Sequence, residues 1–193
     1  MTQPMPDFAA ARRAMIDSQL RPQGVTDPAV LSAMAAVPRE EFVPDSVRPL
    51  AYGDRPIDLG DGQALMPPAA LAKLLDELQP RPGERALVVG AGNGYAPAVL
   101  QAMGLAVDTA DGLASMGQGT YDIVLLDGAV EEVPDAVVAR LASGGRLGAA
   151  IADDGVTRLA IGLMAGGALG LRRFADVHVP PLPGFARPRA FTF

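Results

Sequence analysis

The sequence predicts an α/β fold, an open and mostly parallel sheet with flanking helices and a helical N-terminal cap. Three observations predict it. The run Ala86-Leu87-Val88-Val89 is apolar without alternation, as in a strand buried on both faces. It ends in Gly90, Gly92 and Gly94, spaced two apart, then Tyr95 and a segment, Ala96 to Met103, that reads as helix. Further apolar runs, Ile123 to Leu126 and Arg146 to Ile151, alternate with helical segments, which is the pattern of a parallel sheet. A glycine turn between strand and helix can bring bare backbone N–H groups to a ligand at the helix N-terminus, or it can serve only to turn tightly. The spacing alone leaves both readings open.

Composition narrows the function. The 193 residues suffice for one domain with a real core, and 49% of them are hydrophobic, which argues against disorder. The net charge of −6 gives no basic surface to displace counterions from nucleic acid. Cysteine is absent, so there is no disulfide framework, thiol nucleophile or cysteine metal site. The single histidine, His178, excludes paired-histidine zinc motifs, and no metal is expected. No apolar run reaches the ~18–20 residues of a membrane span, and the N-terminus lacks a signal-peptide pattern. The expectation is a cytoplasmic protein with no membrane contact.

The elements follow in order. Asp7 can cap a helix from Phe8 to Leu20 with Phe8, Ala11, Met15 and Leu20 near one face. Asp27-Pro28 supplies a cap and a first-turn proline for a helix from Ala29 to Ala36, and Val37-Pro38 ends it. Residues 1–60 therefore read as a helical cap and 61–193 as the α/β domain. Gly60-Asp61-Gly62-Gln63 reads as a loop. Pro67-Pro68 opens a helix from Ala69 to Leu78, with Leu71, Leu74, Leu75 and Leu78 at helical spacing. Pro80-Arg81-Pro82-Gly83 is a firm break before the glycine-rich strand. Ala106 to Ala110 is a poor strand, and only Gly112 to Thr120 separates Asp111 from the next clear strand at Asp122 to Asp127. Pro134-Asp135 opens a helix to Leu141, Thr157 to Leu163 reads as a weak helix, and final strands are expected near Gly170–Val179 and Ala190–Phe193.

Several segments then resemble one family in that family's order. They are Val37-Pro38-Arg39-Glu40-Glu41-Phe42-Val43-Pro44, Leu50-Ala51-Tyr52-Gly53-Asp54-Arg55-Pro56, Gly62-Gln63 and Val89-Gly90-Ala91-Gly92-Asn93-Gly94-Tyr95. Tyr121-Asp122-Ile123-Val124, Glu132-Val133-Pro134, Gly144-Gly145-Arg146-Leu147 and the ending from Pro180 follow. The chain resembles protein-L-isoaspartate O-methyltransferases of the bacterial branch, which methylate isoaspartyl carboxylates in damaged proteins with S-adenosylmethionine. The resemblance implies a Rossmann-like methyltransferase sheet. It places the cofactor at Gly90, Ala91, Gly92, Gly94 and Tyr95, and the substrate near Gly62, Gln63 and Met66. Asp111 falls where the family's ribose-binding acid stands, or it is a turn former before Gly112. No catalytic residue is assigned.

The chain departs from that pattern at the chemistry. Ala64-Leu65-Met66 replaces the family's Thr-Ile-Ser, and a methionine offers no firm hydrogen bond. Val88 stands where the family has an acid for the cofactor's charged end. The family's third strand, its helix and an adenine loop are missing between Asp111 and Tyr121. Nine residues reach at most ~30 Å, which allows a taut link past one strand but no helix. Ala106 to Ala110 is then either a short edge strand with a bare loop behind it or no regular strand. Two functions follow: an isoaspartyl methyltransferase of weak or lost activity, or a non-catalytic binding or regulatory protein on the same fold. Asp127-Gly128 ends a strand where cofactor and substrate meet in such sheets, with a turn role equally open. Glu131 and Glu132 complement a helix start, His178 reads as an exposed strand residue, and Arg187 and Arg189 read as a solvated tail.

Overall fold

The computed structural model describes residues 7–60, 62–90 and 92–186. Ala91 and the expected strand at Ala190–Phe193, with Arg187 and Arg189, lie outside the described residues.

The cap helices begin where their side chains dictate. Helix α1, Phe8–Met15, starts with the Asp7 carboxylate accepting the Ala10 N–H at 2.9 Å. Residues Ile16–Leu20 widen into a π turn, so the helical segment does reach Leu20, but not as one α-helix. Helix α2, Pro28–Ala36, has Asp27 accepting from the Ala29 N–H at 2.7 Å. A buried polar cluster ties the cap together: Arg12 pairs with Glu40 at 2.9 Å and donates to the Tyr52 hydroxyl at 2.8 Å, and Tyr52 donates in turn to Glu40.

Ile57–Gly60 (β1) and Gln63–Leu65 (β2) form a small antiparallel hairpin, where the turn formers alone predict a loop. Helix α3, Pro68–Leu78, buries all four of its expected leucines. The main sheet then comprises β3 (Arg85–Val89), β4 (Ala106–Ala110), β5 (Tyr121–Val130), β6 (Leu141–Asp153), β7 (Val156–Ala165) and β8 (Ala168–Asp176). Helix α4, Tyr95–Ala102, follows β3, and the short α5, Asp135–Val138, precedes β6. The spatial order is β4-β3-β5-β6-β7-β8. Pairings through β4, β3, β5 and β6 are parallel, whereas β6–β7 and β7–β8 are antiparallel.

Two expectations need correction. Thr157 to Leu163 is not helix but the middle of β7. The turns on either side show why. Asp154 and Gly155 both adopt positive φ, as do Gly166 and Gly167, and each pair closes a two-residue hairpin. These are the turn residues whose twist matches flanking antiparallel strands. The helix expected from Pro134-Asp135 to Leu141 is one turn long, because Leu141 already pairs with Tyr121 at the start of β6.

The poor strand is real. β4 pairs with β3 over its whole length, four of its five residues are at least partly exposed, and it forms the edge of the sheet. Behind it the link to β5 carries a single 3-10 turn, Leu113–Ser115, with no third strand or helix. Of the two geometries open to nine residues, this is the short edge strand with a bare loop.

Candidate ligand site

The site lies at the carboxyl ends of β3 and β5, where open α/β sheets bind ligands. A cavity of about 120 Å³ is lined from four sides. The glycine turn contributes Gly90 and Gly92, and the β2 region contributes Gly62, Gln63, Ala64 and Met66. Asp111 contributes from just beyond β4, and Asp127 and Gly128 from within β5, which runs on to Val130 past the end of β3 and does not end at Asp127 as expected; the segment from Val179 to Pro183 forms the fourth wall. So Gly90, Gly92, Asp111, Gly62, Gln63 and Met66 come together as the sequence suggests. Asp111 alone represents the β4 side, and it is exposed.

Gly94 and Tyr95 are placed differently. Gly94 has φ +75° and lies 3.6 Å from the Phe42 ring, measured from where a Cβ would sit. Tyr95 is fully buried, edge-on to Phe42 at 5.5 Å, with the Arg39 guanidinium 4.8 Å from its ring centre. Neither lines the cavity. Together they lock the glycine turn onto the Pro38–Pro44 segment of the cap.

Arg39 is the residue that sequence reasoning missed most plainly. It is 0% exposed, and it donates to the Ala51 carbonyl at 2.7 Å and to the Met66 carbonyl. It therefore fixes the backbone of the substrate-side loop from behind. Burial lowers its pKa, opposed by nearby Tyr95 and Asp127. Asp127, which the sequence leaves open between a place near the ligand and a turn role, lines the cavity. Its carboxyl is buried and accepts from the Asn93 side chain at 3.2 Å. Burial pushes its pKa up to about 6, against the pull of Asn93 and Arg39. Asn93 also accepts the Tyr95 N–H at 2.8 Å, so the turn and β5 are joined through one amide.

The fourth wall is the chain's own C-terminal segment. The Leu182 N–H donates to the Ala129 carbonyl at 2.7 Å, and the Ala129 N–H donates to the Pro180 carbonyl at 2.8 Å. This docking sets the Leu182 side chain over Gly90 and against Gly128, where an added Cβ would sit 2.9 Å from the Leu182 Cβ. The Gln63 side chain covers Gly92 in the same way. Gly90 also holds φ +84°, which favours glycine whatever the space, whereas a Cβ at Gly92 would meet the movable end of the Gln63 side chain. His178 is exposed just beyond β8 and does not line the cavity.

This sheet, with its glycine turn and a cavity across two strand ends, defines a Rossmann-like α/β protein of the methyltransferase type. A Plasmodium falciparum protein assigned as a protein-L-isoaspartate O-methyltransferase, solved in complex with S-adenosyl-L-homocysteine, superposes with a TM-score of 0.75. It is 19% identical, over 89% of this chain and 97% of that one. The family profile "Protein-L-isoaspartate(D-aspartate) O-methyltransferase (PCMT)" matches residues 10–109. The protein-L-isoaspartate O-methyltransferase 1 of Rhodopseudomonas palustris is 34% identical over 92% of this chain and 84% of its own length. That of Koribacter versatilis is 32% identical over 92% of both. The chain belongs to the protein-L-isoaspartate O-methyltransferase family.

Among the described residues no helix is long and apolar enough to cross a membrane, and no group of three or more metal-ligating side chains converges.

Proposed function

We propose that this chain binds S-adenosylmethionine in the glycine-turn cavity and methylates an isoaspartyl carboxylate presented from the side of Gly62, Gln63 and Met66. The observation that carries the reading is that cavity, where the turn, the β2 loop and two acids converge. Its chemistry suits the cofactor. The lack of side chains at Gly90 and Gly92 allows close approach once Leu182 and Gln63 move, Asp111 just after β4 can meet ribose hydroxyls, and a lining with acids and, among the described residues, no Lys or Arg suits a cationic ligand.

When bound, the cofactor supplies a methyl group on a positively charged sulfur. The protein's part is alignment, since a carboxylate is already deprotonated at neutral pH and needs no general base. Met66 supports this through its backbone, which Arg39 holds, and not through its buried side chain.

The grip on the cofactor is weak for two reasons. Only Asp111 stands on the adenine side, and 100 Å² of apolar surface left unburied costs about 2.5 kcal/mol, well over tenfold in affinity. The cavity holds about 120 Å³, against about 300–1,000 Å³ for small-molecule pockets. Leu182 must therefore give way on binding. Leu182→Ala is expected to lose about 2 kcal/mol of fold stability while binding S-adenosylhomocysteine several-fold more tightly, by calorimetry. A fall in affinity would show that Leu182 is a wall and not an obstruction.

The reading is tested by titrating the chain with S-adenosylhomocysteine and then assaying methyl transfer to an isoaspartyl peptide. A one-site ligand at 100 times its dissociation constant adds about 2.7 kcal/mol of stability. Binding with slow methylation is expected. No heat and no thermal shift at millimolar ligand would instead mark a non-catalytic member on the same scaffold.

A further inference from the structure

We propose that Asp127 is the counter-charge for the cationic part of the ligand, supplying from β5 what an acid at position 88 would supply from β3. The inference rests on the cofactor reading above.

The sheet register carries it. Val88 lies beside Leu125 in the parallel β3–β5 pair, and both belong to one core face. Asp127 is two residues further along β5, where the β5–β6 register shifts between Leu125 and Ala129, and its carboxyl meets Asn93 of the glycine turn. Val88 is 0% exposed and offers no charge. Asp127 lines the cavity, and among the described residues no Lys or Arg does.

The groups that face Asp127 leave it short of positive charge. Asn93 gives one neutral hydrogen bond at 3.2 Å. Arg39 acts on it only through space, its guanidinium being turned to the carbonyls of Ala51 and Met66. Asp111, across the cavity rim, is a second acid. A buried carboxylate held by a single neutral hydrogen bond is unfavourable, and a bound cation would complete it. S-Adenosylmethionine offers two such centres, a sulfonium and an ammonium, whereas S-adenosylhomocysteine keeps only the ammonium.

Calorimetric titration of the unaltered chain and of Asp127→Asn with both compounds tests this. The variant is expected to bind S-adenosylmethionine about tenfold or more weakly, the size of a lost charge-assisted contact. A loss confined to S-adenosylmethionine places Asp127 at the sulfonium, and an equal loss for both places it at the ammonium. Either result supports the proposal. In the unaltered chain, affinity is expected to fall as pH drops through about 6, and Asp127→Asn should lose that dependence. Affinities within twofold of the unaltered chain for both compounds would overturn the proposal while leaving the cofactor reading intact. No binding by the unaltered chain would overturn the cofactor reading, and this proposal with it. Thermal unfolding of the variant confirms that it is folded in each case.

Discussion

Arg39→Ala is expected to lower the unfolding free energy by about 4 kcal/mol, measured by urea denaturation. The guanidinium is wholly buried, and its removal leaves the Ala51 and Met66 carbonyls without their donor. Hydrogen bonds to a charged group are worth about 1.5–3 kcal/mol each, and burial of the charge offsets part of the sum. The contact over the Tyr95 ring goes as well, worth about 2 kcal/mol when desolvated. Lysine should not rescue the variant, because a single ammonium cannot reproduce the planar fork that reaches two carbonyls at once. A loss below about 1 kcal/mol would mean that those carbonyls find other partners, and that Arg39 does not hold the loop bearing Met66.

Asp127→Asn is expected to do the opposite and stabilise the fold, in a pH-dependent way. The native pKa of Asp127 is raised to about 6 from the 3.8 of an unperturbed aspartate. The folded protein therefore holds its proton more tightly than the unfolded chain does. Below the unfolded pKa this group imposes no penalty. As pH rises from about 4 through 6, stability is lost, and the loss is complete above the native pKa. At about 1.4 kcal/mol per unit, the penalty at pH 8 is up to about 3 kcal/mol. The amide variant, which cannot ionise, should be more stable than the unaltered chain at pH 8 and nearly equal to it at pH 4. A gain that is the same at both pH values would locate the effect elsewhere than in the carboxylate. On this expectation the ionised carboxylate costs the fold stability at neutral pH.

What the sequence makes legible follows from local rules. Asp7 and Asp27 cap their helices because a short carboxylate reaches the first free N–H groups wherever it falls. The nine-residue link behind β4 was bounded by chain length alone, and the structure meets that bound with an edge strand and a bare loop. Gly90, Gly92, Asp111, Gln63 and Met66 were gathered by motif, and they do line one cavity.

The failures have equally local causes. The run Thr157 to Leu163 reads as helix on its own, although Asp154-Gly155 and Gly166-Gly167 flank it, both strong hairpin signals. The apolar, alanine-rich run between them outweighed its own punctuation. The resemblance places Tyr95 at the cofactor, yet its ring packs beneath the turn, against Phe42 and Arg39. Arg39 could not be found by pattern, since a buried arginine in Pro-Arg-Glu-Glu reads as an exposed charge. Leu182 lies more than ninety residues from Gly90, and no local rule brings them together. Only the bridge of Ala129 to Pro181 does so.

A crystal structure of the chain with S-adenosylhomocysteine tests the central claim most directly. The account predicts the amino-acid end of the ligand over Gly90 and Gly92 with its ammonium or thioether toward Asp127, Leu182 swung away, and the adenine open to solvent beyond Asp111. A ligand seated elsewhere, or one lying over the turn with Leu182 and Gln63 unmoved, would contradict it.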